Sequence, residues 1–150
     1  MVNRDLVSAK LEALAQRVAR VRVHRKADAV ELDSDDDALD LVSFNLMLCV
    51  QICADVASHI IADEGWPAAS TLAAAFTRLH EHDVVAAETS RRLKLAVGLR
   101  NVVAHGYTHV DPAMVHAASH QGLDDLEAFA REVAAWLTQV SDDASSGSGS

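Results

Sequence analysis

The chain has 150 residues, half of them hydrophobic, with 4% aromatics and one tyrosine, Tyr107; that suits a single domain whose core needs no disulfide or metal staple. Six Gly and two Pro are too few for the turns of an all-β chain, so an all-α fold is expected and collagen-like, disordered and disulfide-scaffold classes are excluded. A net charge of −9 argues against a broad polyphosphate-binding surface, which relies on cationic side chains releasing counterions.

Val7, Leu11, Leu14, Val18 and Val21 recur at spacings of four and three, which predicts an amphipathic helix over residues 4–24. Residues 1–26 carry Arg4, Lys10, Arg17, Arg20, Arg22, Arg25 and Lys26 against only Asp5 and Glu12. Residues 27–40 reverse the sign, with Asp28, Glu31, Asp33, Asp35, Asp36, Asp37 and Asp40 and no base. Solvated helix faces explain the basic run, and an acidic turn over residues 33–37 caps a second helix, where carboxylates complement the amino-terminal dipole. That helix, 36–63, is apolar almost all round at residues 46–50 and 52–53 and belongs in the middle of a bundle. Asp40, Asn45, Gln51, Asp55 and His59 interrupt it, so it reads as a core helix of a cytoplasmic protein and not as a membrane span. Its Cys49 and Cys53 lie four apart and are expected to be buried free thiols.

Gly65-Trp66-Pro67 ends this helix, and Ser70 is expected to cap a short third one that runs to Leu79. A fourth helix over 84–104 stops at Gly106, a natural carboxy-terminal cap. Asp111-Pro112 opens a short helical piece. The last helix carries Leu123, Leu126, Phe129, Val133, Trp136, Leu137 and Val140 on one face. Residues 1–143 form one domain, and 144–150 read as a flexible Ser/Gly tail.

The polar residues that look least structural lie in Arg100-Asn101-Val102-Val103-Ala104-His105-Gly106-Tyr107. Asn101 and His105 are four apart and share a helix face. A guanidinium grips a phosphate through a forked pair of hydrogen bonds and stabilises the charge of a transition state. An imidazole, with a reference pKa of about 6.5, takes a proton from a ribose 2′-hydroxyl or gives one to a leaving oxygen. Arg100 and His105 thus suffice for a metal-independent, cofactor-free ribonuclease that leaves a 2′,3′-cyclic phosphate, with Asn101 orienting either group or the phosphate. An Arg and a His at this spacing arise by chance about 0.5 times in such a chain, and a tyrosine two residues later lowers this to about 0.004. Arg91, Arg92 and Lys94 form a nearby basic cluster suited to contacting RNA.

Arg-Asn-x-x-x-His-x-Tyr, closing a helix and followed by Val110-Asp111, resembles the signature of HepT-like toxins of the HEPN superfamily. Cys53-Ala-Asp55-Val-Ala-Ser-His59-Ile-Ile resembles the second-helix pattern of that family. Phe76-x-x-Leu79 followed by Val84-Val85 resembles its third. The likeness spans residues 6–140. His116 stands where the family would have an aromatic and Gly122 near a frequent proline, departures that bear on packing of the last helices.

The resemblance implies an all-α HEPN-type bundle of about five helices, forming a two-fold homodimer with Arg100 and His105 of both protomers at a shared cleft. It implies cleavage of RNA, with tRNA as target class, by the toxin of a type II toxin–antitoxin pair. The partner would be a minimal nucleotidyltransferase antitoxin that neutralises the toxin by AMPylation of Tyr107. Added nucleotides would bring bulk and negative charge to where an RNA phosphate must bind. Two clefts meeting at one interface also concentrate basic charge on an acidic protein.

Two other classes fit the same residues: a non-catalytic HEPN domain that binds nucleotide or RNA beside a nucleotidyltransferase, and a structural dimerisation module. His80, Glu81, His82 and Asp83 resemble metal ligands, but adjacent donors at a helix end diverge, so a solvated loop is expected. Asp55 and His59 are placed for an internal acid–imidazole pair. Trp66 and Trp136 read as core or interface anchors, while His109, His116 and His120 are candidates to line an RNA groove.

Overall fold

The computed structural model describes residues 2–106 and 110–147, and among them the chain forms six helices and no strand. Helix α1 (Arg4–His24) starts where the Asn3 side chain accepts the Leu6 N–H, and it buries Val7, Leu14, Val18 and Val21. The acidic segment contains a helix of its own, α2 (Ala29–Asp33), capped by Asp28 and burying Leu32. The expected turn therefore shrinks to Ser34 and Asp35. Leu32 needs a helical turn to reach the core, and Asp28 satisfies the Glu31 N–H at its start.

Asp35 caps α3 (Asp36–Asp63) by accepting the Ala38 N–H. That bond, with Lys26 beside it, holds the Asp35 carboxyl below its usual range. Helix α3 is long and apolar enough by composition to cross a membrane, yet it touches every other helix and buries Leu46, Cys49, Val50, Cys53, Val56 and Ile60 among them. It is the central helix of the bundle, as its all-round hydrophobicity predicts.

Helix α4 (Leu72–Glu81) is capped by Thr71 rather than Ser70, the Thr71 hydroxyl accepting the Ala74 N–H. It packs Phe76 edge-on to Phe129, with ring centroids 5.9 Å apart. Helix α5 (Ala87–Ala104) begins three residues later than expected, because Val84 and Val85 bury themselves in the preceding connection. Its Ala86 cap has no side-chain acceptor of its own. Glu132 supplies one from α6 (Pro112–Gly147), accepting from the Ala86 N–H and the Thr89 hydroxyl, both at 2.5 Å.

The short piece and the last helix expected after Asp111 are a single helix, α6. Pro112 opens it, and Gly122 sits inside it without breaking it. Gly122 and Ala118, one turn apart on α6, line a small space shared with Leu46 and Val50 of α3 and Leu93 and Leu99 of α5; a Cβ at position 122 would meet its own helix first, at Ala118, 3.4 Å away. The helix runs on through Gly147 with residues 142–147 exposed, and 148–150 lie outside the described residues.

The basic run of residues 1–26 is largely committed to partners elsewhere in the fold. Lys10 reaches Asp55 at 3.7 Å, Arg22 pairs with Glu127, Lys26 meets Asp35 at 3.3 Å, and Arg17 donates to Asn45. Trp66 stacks on His82 with centroids 3.8 Å apart and meets Trp136 edge-on, so both tryptophans anchor the α3–α4 connection to α6.

Glu132→Ala should lower stability by about 1–3 kcal/mol in urea denaturation, because two donors at the start of α5 lose a charged acceptor; Glu132→Gln should recover part of the loss. Cys49 and Cys53 are free and buried. Burial pushes the Cys49 thiol up to about 12 and raises that of Cys53 too. The stability tied to these neutral thiols is whole below the ordinary thiol range and is lost as pH climbs through their raised values. A thiol reagent at about pH 8 should spare both cysteines in the native protein and label both after denaturation; fast native labelling would contradict this packing.

Candidate active site

The final turns of α5 position the motif. Arg100 and Asn101 lie inside the helix, half-buried, and His105 is its exposed carboxy-terminal cap residue. The His105 N–H donates to the Asn101 carbonyl at 3.1 Å, and the Gly106 N–H to that of Val103 at 3.2 Å. Gly106 adopts φ 63°, a left-handed conformation that glycine takes at little cost and that turns the chain away from the helix. Tyr107 and His109 lie outside the described residues.

Arg100 is held by two neutral oxygens. Its Nη1 donates to Asn101 Oδ1 at 3.1 Å and its Nη2 to Gln51 Oε1 at 2.9 Å, while its Nε is buried with no acceptor. Each terminal nitrogen has a second hydrogen left over, because a guanidinium offers five N–H donors. Asn101 thus links the two candidate groups, facing Arg100 with its side chain and preceding His105 by one helical turn. No carboxylate is bonded to the guanidinium among the described residues, so its full charge stays available to an anion.

Gln51 is the residue that sequence reasoning missed. It comes from the middle of α3 and also donates from Nε2 to Asp55 Oδ1 at 3.2 Å. Asp55 in turn faces Lys10 on α1 and Gln51 on its own helix, where the sequence suggested a pairing with His59. A signal existed: Gln51, Asp55 and His59 recur every four residues, forming a polar stripe on an otherwise apolar helix.

The basic cluster does not converge on Arg100. Arg91 lies nine residues earlier, about half a revolution around the helix at roughly 100° per residue. It pairs with Glu88, while Arg92 crosses to Asp125 on α6 at 3.0 Å and Lys94 is exposed. His116 and His120 donate from Nε2 to the carbonyls of Ala27 and Lys26 at 3.0 and 2.9 Å, fastening α6 to the α1–α2 connection. The run at 80–83 disperses: His80 Nδ1 donates to the Val85 carbonyl, Glu81 pairs with Arg78 and His82 stacks on Trp66. Among the described residues no three His, Cys, Asp or Glu side chains gather as metal ligands.

Comparison with known proteins points the same way as this geometry. The sequence profile of a family described as "Ribonuclease HepT-like" matches residues 10–133. The mRNA nuclease HepT of Shewanella oneidensis is 28% identical over 126 residues, covering 83% of this chain and 93% of that protein. The tRNA nuclease HepT of Aphanizomenon flos-aquae is 24% identical over 98 residues, covering 65% and 67%. Among solved structures, a tri-AMPylated Shewanella oneidensis HEPN toxin in complex with an MNT antitoxin is similar with a TM-score of 0.81, at 26% identity over 88% of this chain and 98% of that one.

Proposed function

Because the chain belongs to the HepT-like ribonuclease family, we propose that it is the endoribonuclease toxin of a toxin–antitoxin pair, cutting RNA without a metal or cofactor. The observation that carries this reading is the Arg100 guanidinium, held by Gln51 and Asn101 oxygens that fix its orientation and leave its charge unneutralised. In the proposed reaction His105 removes the proton from a ribose 2′-hydroxyl, and that oxygen attacks the adjacent phosphorus. The bond to the 5′-oxygen breaks, and the leaving oxygen takes up a proton. The products are a 2′,3′-cyclic phosphate and a 5′-hydroxyl. Arg100 binds the phosphate and stabilises the charge that builds on its oxygens in the transition state.

The remaining assignments belong to the same reading. The cytoplasmic substrate is tRNA, with Arg91, Arg92 and Lys94 contacting it away from the scissile phosphate. The protein works as a two-fold homodimer whose clefts adjoin. Phe44 supports this, since it lies seven residues before Gln51, on the same face of α3, and is 51% exposed; a second copy would cover it. The cognate partner is a nucleotidyltransferase antitoxin that transfers AMP to Tyr107, as the AMPylated state of the Shewanella toxin suggests.

Purified protein should cleave RNA undiminished in EDTA and yield 2′,3′-cyclic phosphate ends. His105→Ala should slow cleavage by about 10²–10⁴-fold with an unchanged circular dichroism spectrum; equal cleavage by that variant would remove His105 from the chemistry. Saturable RNA binding with no products from the wild type would favour the non-catalytic alternative. After co-expression with the nucleotidyltransferase, intact mass should rise in steps of one AMP on the Tyr107 peptide and stay unchanged for Tyr107→Phe. An unmodified tyrosine beside an active transferase would contradict the neutralisation scheme.

A further inference from the structure

The ribonuclease reading requires Arg100 to be rigid and charged at once, two demands that normally conflict, since the strongest way to fix a guanidinium is a carboxylate that cancels it. We propose that Gln51 is the positioning residue that resolves this conflict, holding the Arg100 fork with a neutral oxygen while Asp55 holds Gln51. The inference rests on that reading and adds to it a residue forty-nine positions away in sequence.

The amide of Gln51 can face only one way. Arg100 Nη2 is a pure donor and the ionised Asp55 carboxylate a pure acceptor. The observed arrangement, with Oε1 towards Arg100 at 2.9 Å and Nε2 towards Asp55 at 3.2 Å, satisfies both. Turning the amide over would set N–H against N–H and oxygen against oxygen. Asp55 therefore enforces the direction of a group that would otherwise flip freely. Its other oxygen faces Lys10 at 3.7 Å, so α1, α3 and α5 meet in one chain of polar contacts.

The amide also separates two opposite charges. A carboxylate at position 51 would pair with Arg100 directly and compete with an incoming phosphate. With glutamine there, the Asp55 charge is one side chain removed and already shared with Lys10. Because Arg100 Nε is buried without an acceptor, its orientation depends on the two terminal nitrogens. Loss of Gln51 would leave Asn101, the adjacent residue on the same helix, as the remaining acceptor seen for those nitrogens.

The test compares the wild type with Gln51→Leu, Gln51→Glu and Arg100→Ala. Cleavage of an RNA oligonucleotide reports the chemistry. Binding of its 2′-O-methyl analogue, which lacks the attacking hydroxyl, reports phosphate contact. Gln51→Leu should lower kcat roughly tenfold, the worth of one hydrogen bond to a charged group, with a much smaller change in binding. Gln51→Glu should instead weaken binding and reduce the slope of log affinity against log salt by about 0.7, the share of one phosphate contact on a single strand. Arg100→Ala should produce the same loss of slope, and adding Gln51→Leu to it should change binding no further. A silent Gln51→Leu, an unchanged salt slope for Gln51→Glu, or additive losses in the double variant would each overturn the positioning role. If the wild type cleaves while the Gln51 variants are silent, only this inference fails. If the wild type neither binds nor cleaves RNA, the ribonuclease reading fails and this inference with it.

Discussion

Helix α3 is apolar on nearly every face, and burying it requires neighbours on all sides, so α1, α2, α4, α5 and α6 are arranged around it. The driving force is removal of aliphatic surface from water, about 25 cal/mol per Å². An unpaired buried polar group is costly, and three polar side chains of α3 find partners on α1 or α5, while the Ser43 hydroxyl is buried without one. Asn45 accepts from Arg17 and donates back to the Leu41 carbonyl. Gln51 meets Arg100, and Asp55 meets Lys10. The helix that organises the core thereby also furnishes one wall of the site.

Charge is distributed according to the same logic. Arg22, Lys26, Arg78, Arg91 and Arg92 each meet a carboxylate, so much of the positive charge is matched locally and the surface stays acidic. Arg100 differs from these five in being met by two amide oxygens, where Arg17 has one, from Asn45. An acidic protein can in this way hold a strong anion-binding group at one place without a broad basic surface. The net charge of −9 limits where RNA can be held rather than whether it can.

The end of α5 combines rigidity with exposure. Glu132 fixes its first turn from α6, and Gly106 ends it with a left-handed residue. Between these ends Leu93, Val97 and Leu99 are buried. Arg100 and His105 sit where the helix emerges from that packing, Arg100 half-buried and His105 exposed. The proposed roles suit these places: a base that reaches for a substrate hydroxyl belongs at such an edge, and a guanidinium that holds still belongs slightly deeper.

What the amino-acid sequence determined by itself is local. The period of Val7, Leu11, Leu14, Val18 and Val21 dictates α1, the apolar run of 36–63 dictates a central helix, and Arg100, Asn101 and His105 are legible as a group because one helix terminus carries them all. Where local signals competed, the tertiary structure decided. Leu32 is drawn into the core by a short helix just ahead of the expected acidic turn, while Val84 and Val85 hold the chain out of helix until residue 87. Gly122 stays helical because the turns on either side of it bury Ser119, Leu123 and Leu126 in the core. Gln51 is the clearest case. In the sequence it is one polar interruption of an apolar helix, and only the packing of α3 against α5 sets its oxygen 2.9 Å from Arg100. Helical periodicity relates residues three or four apart, whereas contact between distant segments is set by how their buried faces fit.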